Sequence, residues 1–521
     1  MAKKSTVSSG RTPLLIAFAL AGIFFVQGYS GLSVQSLTFD EPEYISAGYM
    51  HLTGNDFSYN PSHPPLLKEI IAFPLLFQQI NRVSSVPPVV DPGLDFGMAF
   101  LFGSGNDPIR MGYWARLPIL VIGSLLVLAV FLWGRGLYGD WPALAAAALA
   151  AVCPNLLAHS NLATTDLGCT AFMFFSVWSF WWASKEGRLR RWLLCGFVTG
   201  LALLTKYTAL LLCPVYAILA VWLVANRRMK PAAAVKALAV AACVSLVVIG
   251  AGYNFTFDWH RYFGGMTRIY GDHGVNPNYM TYLLGKVSKD PWWYYNLVGL
   301  VTKTPIPTLL ILLVAAWSCI AYRKDKGEAV VFSLVPASLM IFVSFFDPHN
   351  FGLRRILPAF PFLYLFAGHA FAGDRRRLRT AAVAVLLVWA GVEAAWIHPH
   401  YLSYFNEAAG GPEKGTAIFD ESNVDWGQDL PELAKWQRVH PEAGRVSLAY
   451  FGTSDPYAYG VDAVHFDFSR AEHPAPGTYA VSAHDLVFLR KMHIATGADT
   501  DWLTKYKPVD RAGYSIYIYR F

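Results

Sequence analysis

Residues 114–191 read WARLPILVIGSLLVLAVFLWGRGLYGDWPALAAAALAAVCPNLLAHSNLATTDLGCTAFMFFSVWSFWWASKEGRLRR. Three apolar runs, at 114–133, 141–159 and 166–184, are separated by unequal connections. Arg135 follows the first, a short loop without Lys or Arg at 160–165 follows the second, and Lys185, Arg188, Arg190 and Arg191 follow the third. About 20 apolar residues make a helix that crosses a bilayer. Basic residues gather on the cytoplasmic side of such helices. The stretch therefore reads as three crossings with a fixed orientation.

Working outward, the alternation holds along most of the chain. The runs at 12–33, 114–133, 141–159, 166–184, 192–204, 208–225, 233–253, 302–321, 329–346, 356–373 and 379–397 predict about eleven spans. The fifth is too short to cross alone unless its neighbours cover its end, and the small-residue tract 143–151 predicts a tightly packed helix face. Lys3, Lys4 and Arg11 precede the first run; Arg227, Arg228 and Lys230 follow the sixth. Arg323, Lys324 and Lys326 follow the eighth, and Arg375, Arg376, Arg377 and Arg379 follow the tenth. The N-terminus is thus expected in the cytoplasm and residues 398–521 outside. The first run lacks a clean A-x-A cleavage site and reads as a retained span.

Of the 521 residues, 55% are hydrophobic and 15% charged, against about 25% charged in a soluble domain. A simple soluble globule and a large disordered protein are both excluded. The net charge of +7 is scattered in short clusters rather than gathered in one patch, so nucleic acid is not an expected partner. The six cysteines lie inside apolar runs, which leaves no disulfide framework or CxxC metal site.

The exterior segments 34–113 and 254–301 are long, and such loops are usually functional. The first carries Thr38-Phe39-Asp40-Glu41-Pro42-Glu43-Tyr44. Asp40 suits a helix N-cap with Pro42 in the first turn, and a carboxylate at the membrane surface also suits a general base; a capped helix is a rigid mount for either. Next comes Asn60-Pro61-Ser62-His63-Pro64-Pro65-Leu66-Leu67-Lys68, where paired prolines start an amphipathic interfacial helix and set Lys68 one turn in. His63 is either a structural residue or a substrate-loop contact. Lys206, Lys303, Arg354 and Arg355 sit at exterior span ends, against the positive-inside bias. They are either snorkelling side chains or cations for an anionic group. Asp166 opens the fourth span as an N-cap or as a further site acid.

The order Phe39-Asp40-Glu41, about twenty residues, then His63-Pro64-Pro65-Leu66-x-Lys68 resembles the first exterior loop of the protein O-mannosyltransferases. More broadly it resembles the polyprenyl-phosphate-sugar-dependent glycosyltransferases of the GT-C fold. Leu284-Gly285-Lys286-Val287-Ser288, Trp292-Trp293-Tyr294-Tyr295 and Lys303-Thr304-Pro305 look like that family's second long loop, and Gly352-Leu353-Arg354-Arg355-Ile356-Leu357-Pro358 like its late loop. The tail departs from the eukaryotic members, which insert a β-trefoil. Gly410-Gly411-Pro412 and Ser422-Asn423-Val424-Asp425-Trp426-Gly427-Gln428-Asp429-Leu430 look instead like bacterial members.

Sugar transfer from a lipid phosphate needs a base for the incoming hydroxyl, cations for the leaving phosphate and a groove for the isoprenoid. The phosphate leaves as a stable anion, so the second carboxyl of a glycosidase is not required. The resemblance implies Asp40 as the base, with Glu41 and Asp166 positioning the acceptor. Lys68, Lys206, Lys303, Arg354 and Arg355 would hold the donor phosphate, and His63, Trp292, Trp293 and Tyr294 would line the substrate loops. Trp292–Tyr295 also suits an interfacial aromatic belt. No cofactor or metal site is expected. A divalent ion on His260, Asp272 and His273 is a lesser reading, since no HExxH spacing occurs.

The expected architecture is a polytopic α-helical, GT-C-like membrane protein, residues 1–397, followed by a soluble extracytoplasmic α/β domain, residues 398–521. Strands are predicted near 446–451, 478–483 and 514–521 and a helix near 431–439. Asp425-Trp426-Gly427-Gln428-Asp429 suits acceptor handling, docking against the long loops or a structural turn. The expected activity is inverting transfer of a hexose or pentose from a polyprenyl-phosphate carrier to an acceptor hydroxyl on a protein, lipid or polysaccharide, among membrane lipids of a bacterial plasma membrane. A lipid-linked sugar flippase and an assembly scaffold are the alternatives.

Overall fold

The computed structural model describes residues 11–83, 92–256, 259–270, 280–321, 327–347, 350–371 and 376–521. Each of the eleven expected spans is largely helical there. Arg11–Tyr29, Pro108–Tyr138, Pro231–Gly252 and Glu328–Val343 are long helices, as are Thr165–Glu186 and Arg376–Ile397. Among the described residues six helical segments are long and apolar enough to cross a membrane, or up to eight if two bent pairs each count as one. The count is thus lower than eleven by that measure. The bends have local causes. Pro154 starts a second helix after Asp140–Ala151, at 57°, and Pro305 lies in the break between Tyr295–Thr302 and Ile306–Ala321, at 107°. Helix Leu189–Leu203, the short fifth span, has only 15 residues, about 22 Å at 1.5 Å per residue. The protein is an integral membrane protein.

The two long loops fold back onto the bundle. Asp40 sits at the N-cap position of helix Glu41–Gly54, but its side chain makes no capping bond. This helix lies so close to helix Leu66–Ala72 that a Cβ on Gly48 would stand 1.9 Å from the Lys68 carbonyl oxygen, so only glycine fits. The interfacial helix is half right as a sequence reading: Leu67 and Ile71 are fully buried in the bundle, while Phe73 and Phe77 remain exposed. In the second long loop, β1 (Thr281–Leu283) and β2 (Lys286–Ser288) form an antiparallel hairpin. Its turn residues Leu284 and Gly285 have φ of 51° and 76°, the combination a two-residue hairpin turn needs.

Residues 398–521 carry the expected α/β arrangement. Strands β3 (Val446–Ala449), β4 (Ala463–His465), β5 (Thr478–Ser482), β6 (Asp510–Ala512) and β7 (Ile516–Arg520) form one sheet in the order β4-β3-β5-β7-β6. The β3 pairings are parallel and those of β7 antiparallel. Alternation along the strands serves two cores: Ala480, Ile516 and Ile518 face Leu430, Leu433 and Trp436 of helix Leu430–Val439. Val481, Tyr517 and Tyr519 face Leu486 and Leu489 of helix Ala483–Thr496, together with Trp502. That second core also takes in Leu283 and Tyr295 from the second long loop, which joins the sheet region to the bundle. Strands β4 and β6 and helix Ala483–Thr496 were not legible in the sequence; the two strands are only three residues long each.

Candidate active site

Four side chains of alternating charge meet at one end of the bundle. Arg354 donates from Nη1 to Asp40 Oδ2 at 2.9 Å and lies 4.0 Å from Asp166 Oδ2. Lys206 donates from Nζ to Asp166 Oδ1 at 2.7 Å. They come from four separate places: the start of helix Glu41–Gly54, the first turn of Thr165–Glu186, the short connection before Tyr207–Leu211, and the 3-10 helix Leu353–Ala359. Asp166 is not the N-cap of its helix, a position held by Thr164. Asp40, 22% exposed, is the most open of the four; Asp166 is 3% exposed.

The late turn of the chain seats this cluster. The Arg354 guanidinium lies 4.3 Å from the ring centre of Trp426, an attraction worth up to about 2 kcal/mol when desolvated. The same residue's carbonyl accepts the backbone N–H of Phe39 at 2.9 Å, and Ser36 N donates to Gln428 O at 3.0 Å. Thr453 and Ser454 donate their hydroxyls to the carbonyls of Phe39 and Leu37, and the Phe39 and Phe451 rings stack with centres 5.2 Å apart. On the arginine's side, Leu353 N donates to Asn423 Oδ1 at 2.9 Å and Ser422 Oγ donates to Phe351 O at 2.7 Å. Residues 422–428 thus clamp the backbones that carry both Asp40 and Arg354. Asp425-Trp426-Gly427-Gln428-Asp429 is the docking element of the sequence reading, and the Trp426 ring is occupied by Arg354 and by His159, edge-on at 6.2 Å.

Three expected site residues take other roles. Glu41 is fully buried. Arg116 Nε and Nη2 bond its two oxygens at 2.7 Å each, and Thr38 N, Thr38 Oγ1 and Ala163 N complete the set. With its oxygens filled, it does not face an acceptor; it ties the Asp40 loop to the loop leading into Asp166. Lys68, 1% exposed, donates to the carbonyls of Asn60 and His63 at 2.6 and 2.8 Å, so it holds the first loop rather than an open anion site. Lys303, 3% exposed, donates to the carbonyls of Leu402 and Asn423 and lies over the Phe405 ring. It fastens the tail to the bundle. Arg355 pairs with Asp347 at 3.4 Å.

His63 packs edge-on against Tyr44, ring centres 5.3 Å apart, and its Nδ1 is buried without a hydrogen-bond partner; burial lowers its pKa well below the usual histidine value. Trp292 and Tyr294 pack against the core under the sheet, and Trp293, 60% exposed, leans on Phe345. These aromatics mark the junction of loop and tail. Asp272 and His273 lie outside the described residues, as does the side chain of His260. Among the described residues no group of three His, Cys, Asp or Glu is placed to hold a metal. Sequence reasoning missed Arg116 and His159 as parts of the site's frame. Arg116 lies inside an apolar run at an exterior end, the signal that singled out Lys206.

An apolar groove of about 400 Å³ is lined by Leu203, Leu210, Cys213, Tyr216, Leu246 and Tyr262 among others. Tyr207, the residue after Lys206, donates its hydroxyl to the carbonyl of Tyr262, one of the lining residues, at 2.7 Å.

Comparison with known proteins bears on the fold and the family. Residues 86–258 match the family of dolichyl-phosphate-mannose-protein mannosyltransferases. An undecaprenyl phosphate-alpha-4-amino-4-deoxy-L-arabinose arabinosyl transferase of Edwardsiella ictaluri is 29% identical over 57% of this chain and 52% of its own. One of the same name from Pseudomonas aeruginosa is 28% identical over 50% of this chain and 46% of its own. The chain thus spans about half the length of these curated relatives. Among solved structures, ArnT from Cupriavidus metallidurans in the apo state superposes with a TM-score of 0.52 at 13% identity, covering 98% of both chains. The archaeal oligosaccharyltransferase AglB from Archaeoglobus fulgidus, in complex with an inhibitory peptide and a dolichol-phosphate, gives 0.53 at 11% identity over 97% of this chain and 74% of that one. The chain therefore has the GT-C fold of membrane glycosyltransferases, and over residues 86–258 its sequence is similar to the dolichyl-phosphate-mannose-protein mannosyltransferases.

Proposed function

We propose that this protein is an inverting membrane glycosyltransferase that takes a sugar from a polyprenyl-phosphate carrier and passes it to an acceptor hydroxyl at the exterior face. The observation that carries the reading is the Asp40–Arg354–Asp166–Lys206 chain of alternating charge at one end of the bundle. Asp40, the most open acid, accepts the proton of the attacking hydroxyl. The oxygen attacks the anomeric carbon from the side opposite the phosphate, the carbon–oxygen bond to phosphate breaks, and the electron pair stays on the leaving phosphate. Arg354 and Lys206 neutralise that anion. In the absence of donor they are held ready by Asp40 and Asp166. The apolar groove takes the isoprenoid chain, and the donor is of the undecaprenyl-phosphate-sugar class for which the bacterial relatives are named.

On this reading residues 1–397 form the catalytic membrane part and residues 398–521 an extracytoplasmic α/β domain. The alternation of basic clusters supports an N-terminus in the cytoplasm and a site outside, and the bacterial relatives support a bacterial membrane. Acceptors of protein, lipid or polysaccharide all present a suitable hydroxyl. Reconstituted protein supplied with labelled polyprenyl-phosphate sugar and envelope fractions tests the proposal. The Asp40→Asn variant is expected to lose transfer by a factor of about 10²–10⁴, the usual contribution of a general base. Undiminished turnover in a folded variant refutes the assignment.

A further inference from the structure

The end of the bundle away from Asp40 holds a second cavity. Helix Thr165–Glu186 ends at Gly187, whose φ of 64° turns the chain into helix Leu189–Leu203. Helix Pro231–Gly252 runs against Leu189–Leu203 so tightly that a Cβ on Gly196 would lie 2.6 Å from Ala241 O. Ser245 Oγ donates across to Gly196 O at 2.9 Å. Where both helices begin, a space of about 450 Å³ opens, lined by four cations, Lys185, Arg228, Lys230 and Lys236, and one carboxylate, Glu186.

The charges in this space do not cancel. Glu186 is already paired with Arg191 at 2.7 Å and Arg188 at 3.0 Å. Lys185 and Arg228 share one acid, Glu328, and each also lies over a tryptophan ring, Trp181 and Trp222, which restrains their positions. Among the described residues Lys230 and Lys236 have no ion pair. Trp192 and Val240 supply apolar walls. Beside the mouth, Leu189, Leu193 and Val235 are exposed by 58%, 44% and 69% on the outer surface of the bundle.

A cationic cavity at span ends, continued by an apolar strip along the spans, has the two-part chemistry of a phospholipid. We propose that this cavity binds the phosphate headgroup of an anionic membrane phospholipid, with the acyl chains lying along the strip. A zwitterionic headgroup brings a cation of its own among the lysines and is disfavoured. Free phosphate satisfies the cations but makes no use of the strip. The proposal is independent of sugar transfer, since none of these residues belongs to the Asp40 cluster.

The test uses the full chain in a neutral detergent, titrated separately with phosphatidylglycerol, phosphatidylcholine and inorganic phosphate and read by native mass spectrometry. Phosphatidylglycerol is expected to bind one to one, more tightly than either other probe. The double variant Lys230→Gln/Lys236→Gln is expected to weaken it roughly thirty-fold, since each lysine near an anionic membrane surface contributes about 1 kcal/mol. Unchanged thermal unfolding and sugar transfer confirm that the variant folds. If it fails to purify, Lys236→Gln alone is expected to weaken binding about five-fold. Equal binding of phosphatidylcholine overturns the proposal, as does unchanged affinity in the variants. Inorganic phosphate bound as tightly as phosphatidylglycerol also overturns it, by making the cavity a free-anion site.

Discussion

Replacing Glu41 by Gln separates two roles that one carboxylate beside Asp40 can have. Glu41 and Arg116 are 0% and 2% exposed and joined by two bonds of 2.7 Å. Five donors converge on the two carboxylate oxygens. Glutamine keeps the shape but turns one oxygen into an NH₂ group, so a donor then meets donors. The Arg116 guanidinium keeps the carbonyls of Leu32, Gln35 and Ser36 but loses its counter-charge. Removing one partner of a buried pair costs about 3–5 kcal/mol, a large part of the 5–15 kcal/mol that typically holds a folded protein together. Thermal unfolding in nanodiscs is expected to show a clearly lowered midpoint, and transfer should fall because the amide oxygen accepts from Thr38 or from Ala163 but not from both, which loosens the register of Asp40 against Asp166. Adding Arg116→Leu removes the stranded charge and is expected to restore part of the stability; the remainder is the Thr38 and Ala163 bonds together with the bonds to the Leu32, Gln35 and Ser36 carbonyls that leave with the guanidinium. In the folded fraction the acceptor KM is expected to stay unchanged. A normal midpoint together with a raised acceptor KM would refute the reasoning and return Glu41 to the acceptor.

Trp426→Ala empties a buried site and is expected to destabilise the protein by about 3–5 kcal/mol, whereas Trp426→Phe keeps a ring beneath Arg354. The phenylalanine variant is expected to retain most of the kcat with a modestly raised donor KM; equal loss of kcat in both variants at equal folded fraction would show that the ring does not position the arginine. Asp425 is buried, and burial pushes its carboxyl up to about 7, above the unfolded value of about 3.9. Its contribution is therefore fully present below about pH 4 and lost as pH rises through 7. The stability difference between the wild type and Asp425→Asn, followed by thermal unfolding of the full chain, is expected to shift against the wild type between pH 5 and pH 8. His484, lowered to about 4 by burial, acts with the opposite sign in both proteins and drops out of the difference. Parallel profiles would remove Asp425 from the pH response.

The membrane character, the helical segments and the α/β tail were all legible in the residues, because a bilayer demands long apolar runs and a sheet with two covered faces demands alternation. Asp40, Asp166, Lys206 and Arg354 were legible for a related reason: charge at the exterior end of a span is costly and stands out. The same criterion also picked Lys303, and the family resemblance added Lys68 and Glu41, whose partners are carbonyls and a buried guanidinium. One-dimensional sequence shows that a charge is unusual, but not which group satisfies it. The sequence by itself determined the solvent of each segment and the end of the bundle where the charges collect. Only the tertiary structure decided which charges remain available for chemistry. That choice depends on contacts between residues hundreds of positions apart, such as Arg354 with Asp40 and Trp426 with Phe39, which no local pattern encodes.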